Sequence, residues 1–191
     1  KAGDEIDFFE INPVLSRNGG RPDQMKGESS EIIVDEAIRF IRTAGRKPFF
    51  VVVWFGSPHE PYSGLPDDLT LYDDVPGKFN DREVRLTSNE TGKPTMRPLG
   101  DVLRERYAEI TAMDRSIGRL RNWLDQSGMR DNTLLWYCGD NGSPSGASVT
   151  TPLRGQKATM YEGGIRVPGL IEWLARIVTP RVSQVPAVTS D

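Results

Sequence analysis

The sequence TLLWYCGDNG (residues 133–142) decides the fold of this chain of 191 residues, because an apolar run stops there at a polar turn flanked by glycines. The run Thr133–Cys138 is short and strongly apolar, which predicts a strand buried in a parallel sheet. A second run of this kind, Phe49–Phe55, is followed by Ser57-Pro58-His59. We expect both polar turns at one edge of a sheet, because ligands of open α/β sheets bind beyond the carboxyl ends of the strands.

Two amphipathic helices alternate with these strands. Apolar residues recur at helical spacing over Ser30–Ala44, where Gly45 is placed to end the helix, and again over Asp101–Gln126. The segment Gly56–Gly100 is polar, rich in Pro, Gly and Asp, and without periodicity, so we expect a long active-site and specificity loop. The order helix, strand, loop, helix, strand predicts an α/β fold with a mostly parallel sheet flanked by helices.

The composition is that of an ordinary globular protein of about one domain, with 37% hydrophobic and 27% charged residues. A net charge of −3 gives no reason to expect a nucleic-acid partner. The longest apolar run is far shorter than the ~20 residues of a membrane helix, so no membrane partner is expected. Cys138 is the only cysteine, and without an adjacent histidine we expect it to be buried and unreactive.

Asp140 and Asn141 stand side by side directly after the second strand. A carboxylate and an amide oxygen suit a hard cation such as Ca²⁺ or Mg²⁺ better than Zn²⁺, which prefers His and Cys. Two ligands do not complete a metal site, and an Asp-Asn-Gly sequence is also common turn chemistry. Both interpretations stay open at this point.

His59 and Lys157 are the other candidates for a role in chemistry. His59 is the only histidine and lies between two prolines, where an imidazole could hydrogen-bond a substrate oxygen or donate a proton to a leaving group. Lys157 lies in a glycine-rich loop, and its compact charge suits a tetrahedral oxyanion. Either could instead be a solvated surface residue. Arg154 and Arg166 are weaker candidates, and Asp114 is expected to be a buried structural carboxylate.

Taken together, these segments resemble the sulfatase family of the alkaline-phosphatase-like superfamily. The resemblance covers most of the chain and includes the helix that leads into Pro48-Phe49-Phe50. Each motif is weak alone, and their shared order and spacing make the signal specific. The motifs are SPHEP (57–61), YAEI (107–110) with Met113-Asp114, DNT (131–133), DNG (140–142), LRGQK (153–157) and YEGGIRVP (161–168).

The resemblance implies a Ca²⁺-dependent hydrolase of sulfate esters, Mg²⁺ being less favoured, whose nucleophile is a formylglycine made from a Cys or Ser. By position, Asp140 and Asn141 match two of the family's metal ligands. His59 matches the histidine that contacts the sulfate and helps protonate the leaving oxygen, and Lys157 matches the lysine that binds the sulfate oxygens. The substrate would be a small-molecule or glycan sulfate ester. Many family members are exported, to the periplasm, the lysosome or the outside of the cell, but this chain does not itself reveal a localisation.

The sequence departs from the family pattern in two important respects. The nucleophile motif (Cys or Ser, any residue, Pro, Ser or Ala, Arg) is absent, as are the family's first acidic metal ligands. We therefore expect residues 1–191 to be the central to C-terminal part of one sulfatase catalytic domain. The formylglycine is expected elsewhere in the parent protein, and the fragment alone is expected to be inactive.

Two other functions compete with this interpretation. A phosphatase, phosphodiesterase or phosphonate hydrolase of the same superfamily would often have His where this chain has Asn141, with several further His ligands for Zn²⁺ or Mn²⁺. The single histidine argues against it. A non-catalytic sulfatase-like protein could bind sulfated glycans, but the presence of all four candidate site residues counts against general decay of the site.

Overall fold

The structure is a computed structural model that describes residues 11–79, 81–88, 91–144 and 152–187. Within these ranges, no helix is both long and apolar enough to cross a bilayer. The elements, in chain order, are β1 (Val14–Leu15), β2 (Asp23–Gln24), α1 (Ser29–Ala44), α2 (Pro66–Thr70), α3 (Val75–Phe79), β3 (Glu83–Thr87), β4 (Pro94–Pro98), α4 (Leu99–Gln126), a 3₁₀ turn (Arg130–Asn132), β5 (Leu135–Cys138), α5 (Glu162–Ile165) and β6 (Gly169–Glu172).

The two long helices confirm the sequence prediction. Helix α1 begins one residue earlier than predicted, and the carboxylate of Glu28 caps it by accepting a hydrogen bond from the backbone N–H of Glu31 (3.0 Å). Gly45 ends the helix with a φ of 61°, a left-handed conformation that favours glycine. Helix α4 begins two residues earlier than predicted, at Leu99.

Helix α4 is the central element, since α1, α2, α3, β4 and the 3₁₀ turn all pack against it. Its apolar stripe and that of α1 are buried against each other, as the helical periodicity requires. Two further apolar clusters lie where the segment between the long helices packs on the start of α4. Their buried residues are Tyr62, Leu86 and Val102 in one, and Val75, Leu99 and Leu103 in the other.

The segment 56–100 is more regular than predicted. Instead of a continuous loop it contains two short helices and a hairpin, in which β3 and β4 pair antiparallel with Val84 opposite Arg97. The alternation of half-buried Val84 and buried Leu86 with exposed neighbours is the strand signal that the Pro- and Gly-rich composition obscured.

The α/β class is confirmed, but the described strands do not form a parallel sheet. They form three two-stranded antiparallel sheets, and β5 pairs with β6 so that Trp136 lies opposite Ile171. The predicted strand Phe49–Phe55 belongs to none of the described strands. Two strands can pair in parallel only where they lie side by side in one sheet. Here β5 lies beside β6, which follows α5 in the chain, and pairs with it antiparallel.

Neither apolar run is buried on both faces, which corrects a second expectation. Phe50 and Trp54 are 85% and 84% exposed, and Trp136 is 52% exposed. Residues that alternate with these along each run, such as Val51 and Tyr137, are half-buried. Both runs therefore pack one face on the described part of the chain and leave a wide apolar face open to solvent.

Candidate active site

The loop that carries His59 follows the apolar run Phe49–Phe55 and is attached to two different elements. The hydroxyl oxygens of Ser57 and Ser30, at the start of α1, lie 3.5 Å apart. The carboxylate of Glu60 accepts a hydrogen bond from the backbone N–H of Thr87 in β3 (3.2 Å). These contacts on both sides of His59 hold its backbone, while its side chain is exposed.

The structure brings His59 and Lys157 together. The Lys157 ammonium lies 3.0 Å from Nε2 of His59, and Nδ1 of the same ring lies 2.7 Å from the carbonyl oxygen of Glu60. A carbonyl can only accept and an ammonium can only donate. The network therefore assigns a proton to Nδ1, which donates to Glu60, and leaves Nε2 as the acceptor for Lys157.

Ser143 joins the Lys157 loop to the turn that contains Asp140 and Asn141. Its backbone carbonyl accepts a hydrogen bond from the N–H of Lys157 (2.8 Å). Its hydroxyl accepts one from the guanidinium of Arg106 in α4 (3.2 Å). The position of Lys157 is thus tied to the turn after β5 and, through Ser143, to the central helix.

The glycines of this region are required by close backbone contact. The N–H of Gly142 donates to the carbonyl of Gly164 (2.9 Å), and a Cβ on Gly142 would lie 1.9 Å from the carbonyl oxygen of Gly163. A Cβ on Gly163 would in turn lie 2.3 Å from the carbonyl oxygen of Gly155. No side chain fits at these contacts, so the presence of glycine at positions 142 and 163 has a steric cause.

Asp140 and Asn141 carry the type of oxygen ligand, a carboxylate and an amide oxygen, that a hard cation prefers. The Asp140 carboxylate is exposed, and the Asn141 amide nitrogen donates to the carbonyl of Gly142 (3.1 Å), a bond that does not engage the amide oxygen. Among the residues that the structure describes, no group of three or more His, Cys, Asp or Glu side chains could hold a metal ion. The two residues thus fit part of an oxygen-ligand shell.

Two of the other residues singled out in the sequence, Asp114 and Cys138, have different surroundings from those expected. Asp114 and Cys138 are exposed, so the predictions that they are buried were wrong. Asp114 lies on the solvent side of α4, and Cys138 lies on the open face of β5. Arg154 stacks on the ring of Tyr161 and donates to its hydroxyl (2.8 Å), and Arg166 pairs with Glu162 (3.2 Å).

Sequence reasoning missed two residues of α4 that contact the site loops, Arg106 and Glu109. Glu109 was noted only as part of a family motif, yet its carboxylate is 2% exposed and accepts a hydrogen bond from the N–H of Ser63 (2.6 Å). A charged residue inside the apolar stripe of a long helix is the signal that could have identified it.

Comparison with known proteins identifies the family. A family model described as Sulfatase matches residues 4–190. The chain belongs to the sulfatase family. The ulvan-active sulfatase of Formosa agariphila is 30% identical to it over 143 residues, which are 74% of this chain and 26% of that protein. The endo-4-O-sulfatase of Bacteroides thetaiotaomicron is 28% identical over 141 residues, 72% of this chain and 26% of that protein.

Solved structures share the fold of this sulfatase chain. Ps i-CgsB, crystallised with k-i-k-neocarrahexaose, matches with a TM-score of 0.63 at 24% identity, covering 81% of this chain and 30% of that one. The PsFucS1 sulfatase from Pseudoalteromonas sp. matches with a TM-score of 0.52 at 25% identity, covering 83% and 28%. The expected fold, part of an alkaline-phosphatase-like domain, is confirmed. The chain spans 26–30% of the length of these four proteins.

Proposed function

We propose that the protein carrying this chain hydrolyses sulfate esters, and that residues 1–191 supply the sulfate-binding and proton-donating part of its catalytic domain. The observation that carries the proposal is the 3.0 Å contact between Lys157 and His59, beside the turn of Asp140 and Asn141. A cationic donor, an imidazole and two oxygen ligands in adjoining loops are what the transfer of an anionic group requires.

Lys157 would bind the sulfate oxygens. Its ammonium is a compact charge, and its backbone is fixed by the hydrogen bond to Ser143, so little reorganisation is needed when the negative charge arrives. An anionic substrate placed between the two side chains would attract the ammonium away from Nε2 of His59.

His59 would protonate the leaving oxygen. In the described arrangement Nε2 accepts from Lys157, so it must first gain a proton to act as an acid. That step requires Lys157 to point at the substrate rather than at His59. The hydrogen bond from Nδ1 to the Glu60 carbonyl holds the orientation of the imidazole ring and leaves Nε2 as the nitrogen that faces Lys157.

Asp140 and Asn141 would hold a Ca²⁺ ion, with Mg²⁺ less favoured, together with ligands from outside this chain. A bound cation would supply positive charge that stabilises the sulfate group during transfer. We place the nucleophile, a formylglycine, elsewhere in the parent protein, because its motif is absent from these residues. The isolated chain is accordingly proposed to be inactive.

A sulfated glycan is the substrate class that we propose. One relative is named an ulvan-active sulfatase and another an endo-4-O-sulfatase, and one structural neighbour was crystallised with k-i-k-neocarrahexaose. His59 and Asp140 are exposed, which suits access by a polymer chain. The hairpin of β3 and β4, which contacts Glu60, is proposed to contribute to specificity.

The test uses the full-length protein that contains this chain. Turnover of 4-nitrophenyl sulfate and 4-nitrophenyl phosphate is compared, before and after removal of Ca²⁺ by a chelator and after its return. We expect sulfate to be preferred and activity to depend on Ca²⁺. Preference for phosphate would favour the phosphatase alternative, and binding of a sulfated oligosaccharide without any turnover would favour the non-catalytic one.

A further inference from the structure

Two side chains of helix α4, one turn apart, each contact one half of the candidate site. Glu109 accepts a hydrogen bond from the N–H of Ser63, in the loop that carries His59 (2.6 Å). Arg106 donates to the hydroxyl of Ser143, in the turn that is bonded to Lys157 (3.2 Å). Residues three apart lie on the same face of a helix. One short stretch of α4 is therefore in contact with both loops.

The contact of the His59 loop with α4 is close and shielded from water. Glu109 is 2% exposed, and the neighbouring Ala108 is fully buried. The chain passes so near to α4 that a Cβ on Gly64 would lie 2.6 Å from the Cβ of Ala108. A hydrogen bond from a backbone N–H to a buried carboxylate is strong, because the acceptor is charged and water is excluded.

The helix that carries these residues is itself held on several sides. It packs against α1, α2 and α3, and Ala112 and Leu124 are buried further along it. A side chain on such a rigid element can define the position of a loop more narrowly than another loop could. The contacts of Arg106 and Glu109 thus fix the positions of both loops relative to helix α4.

We propose that Arg106 and Glu109 are positioning residues that set the distance between Lys157 and His59. This inference rests on the proposed function, because the roles of the two loops are taken from that proposal. Glu109 acts on the loop of the proton donor, and Arg106 acts, through Ser143, on the loop of the sulfate-binding lysine. A misplacement of about 1 Å at a catalytic group costs up to ~100-fold in rate.

The experiment compares variants of the full-length protein on two sulfate esters that differ in leaving group. 4-Nitrophenolate leaves with little need of a proton, whereas a sugar hydroxyl must be protonated as it leaves. For Glu109→Leu we expect kcat to fall ~10- to 100-fold on a sugar sulfate and several times less on 4-nitrophenyl sulfate, the same pattern as for His59→Ala. Glu109→Gln retains an acceptor for Ser63 and is expected to restore most of the activity.

Arg106→Gln is expected to change a different parameter. Because it loosens the loop of Lys157, it should raise the KM for both esters by a similar factor, on the order of 10-fold. Arg119→Gln is the matched control, since Arg119 is on the same helix but pairs with Asp35 of α1. The control is expected to leave both leaving-group dependence and KM unchanged.

Amide hydrogen exchange provides a measurement that does not depend on activity. Glu109→Leu should raise exchange in residues 57–64 and leave residues 152–160 unchanged, whereas Arg106→Gln should do the opposite. Equal losses on both esters in proportion to a lowered Tm, or exchange that rises in both loops at once, would overturn the inference. A wild-type protein that cleaves no sulfate ester would overturn the proposed function, while the exchange pattern would still decide the positioning role.

Discussion

The ammonium of Lys157 lies 3.0 Å from Nε2 of His59, although the two residues are 98 positions apart in the chain. Local sequence does not predict this contact, because the two residues lie in separate loops that follow different parts of the fold. The pairing joins the segment after Phe49–Phe55 to the segment after β5. It is the strongest structural reason to treat these loops as one site.

Replacement of Lys157 tests its role toward the substrate. Lys157→Met in the full-length protein should lower kcat/KM for 4-nitrophenyl sulfate by ~100-fold or more, because one preorganised donor to the transferring group is lost. Lys157→Arg should recover only part of this, since a planar guanidinium is not equivalent to a compact ammonium. Steady-state kinetics measure both, and unchanged KM and kcat in Lys157→Met would remove the lysine from the site.

Replacement of Asp140 tests the metal assignment. Asp140→Ala should lower the Ca²⁺ content of the full-length protein and its kcat together, because a carboxylate ligand is removed. Calcium is measured by elemental analysis after dialysis. Asp114→Ala, an exposed aspartate on α4, is the control and should keep the wild-type content. Stoichiometric Ca²⁺ retained in Asp140→Ala would show that Asp140 is not a ligand.

The backbone contact at Gly142 predicts a steric effect. Gly142→Ala should destabilise the domain by ~3 kcal/mol or more, because its Cβ would overlap the carbonyl oxygen of Gly163 at 1.9 Å. Gly118→Ala in α4 is the matched control, since a Cβ there meets nothing within 4 Å. It should be neutral or stabilising by up to ~1 kcal/mol. Urea unfolding gives both values, and equal stability of the two variants would contradict the contact.

Glu172 predicts a dependence of stability on pH. Its carboxylate accepts hydrogen bonds from Arg130 (2.9 Å) and Arg121 (2.6 Å), which hold the pKa of Glu172 below its usual value. This contribution is present above the ordinary carboxyl pKa of about 4.3 and is lost as the pH falls through the lowered pKa. Glu172→Gln should therefore be less stable than wild type at pH 7, by ~1 kcal/mol or less for pairs that are partly exposed.

The measurement for Glu172 is the urea midpoint of both proteins from pH 7 down to pH 3. The difference between them should be constant near neutrality and shrink in the acid range. Glu83→Gln, on the exposed side of β3, serves as the control. A difference that grew on acidification would contradict the sign derived for Glu172.

The open apolar face predicts the behaviour of the chain when it is produced alone. Phe50 and Trp54 are each more than four-fifths exposed, and burying such a side chain is worth ~1.5–3 kcal/mol. The isolated chain should bind a hydrophobic dye and self-associate, and Trp54→Gln should reduce both. Leu71→Gln, at an exposed apolar residue beside α2, should not. A dye-free monomer by light scattering would show that this face needs no cover.

The two long helices and the four candidate site residues could be found from the sequence, by different means. Periodicity alone located α1 and α4 to within two residues. His59, Lys157, Asp140 and Asn141 were each ambiguous until the shared order of the family motifs was considered. The structure brings His59 and Lys157 into contact, and the roles given to all four residues stay predictions.

Other features were missed because their causes lie mainly in tertiary contacts, although the sequence carries a partial signal for two of them, Glu109 and the hairpin. Glu109 looks like one more charged residue of a helix until the passage of Gly64 over Ala108 shows why it is buried. The hairpin of β3 and β4 was obscured by Pro and Gly, although Val84 and Leu86 carry the alternation of a strand. The exposure of Phe50 depends on what packs against the run Phe49–Phe55, which no local pattern reports.

The contacts of Gly142, Gly163 and Gly164 have a consequence for how such a site survives divergence. They are made between main-chain atoms, so no substitution elsewhere in the two loops alters the atoms that meet. Selection then needs to preserve three small residues to keep the spacing of two loops, while the surrounding side chains change.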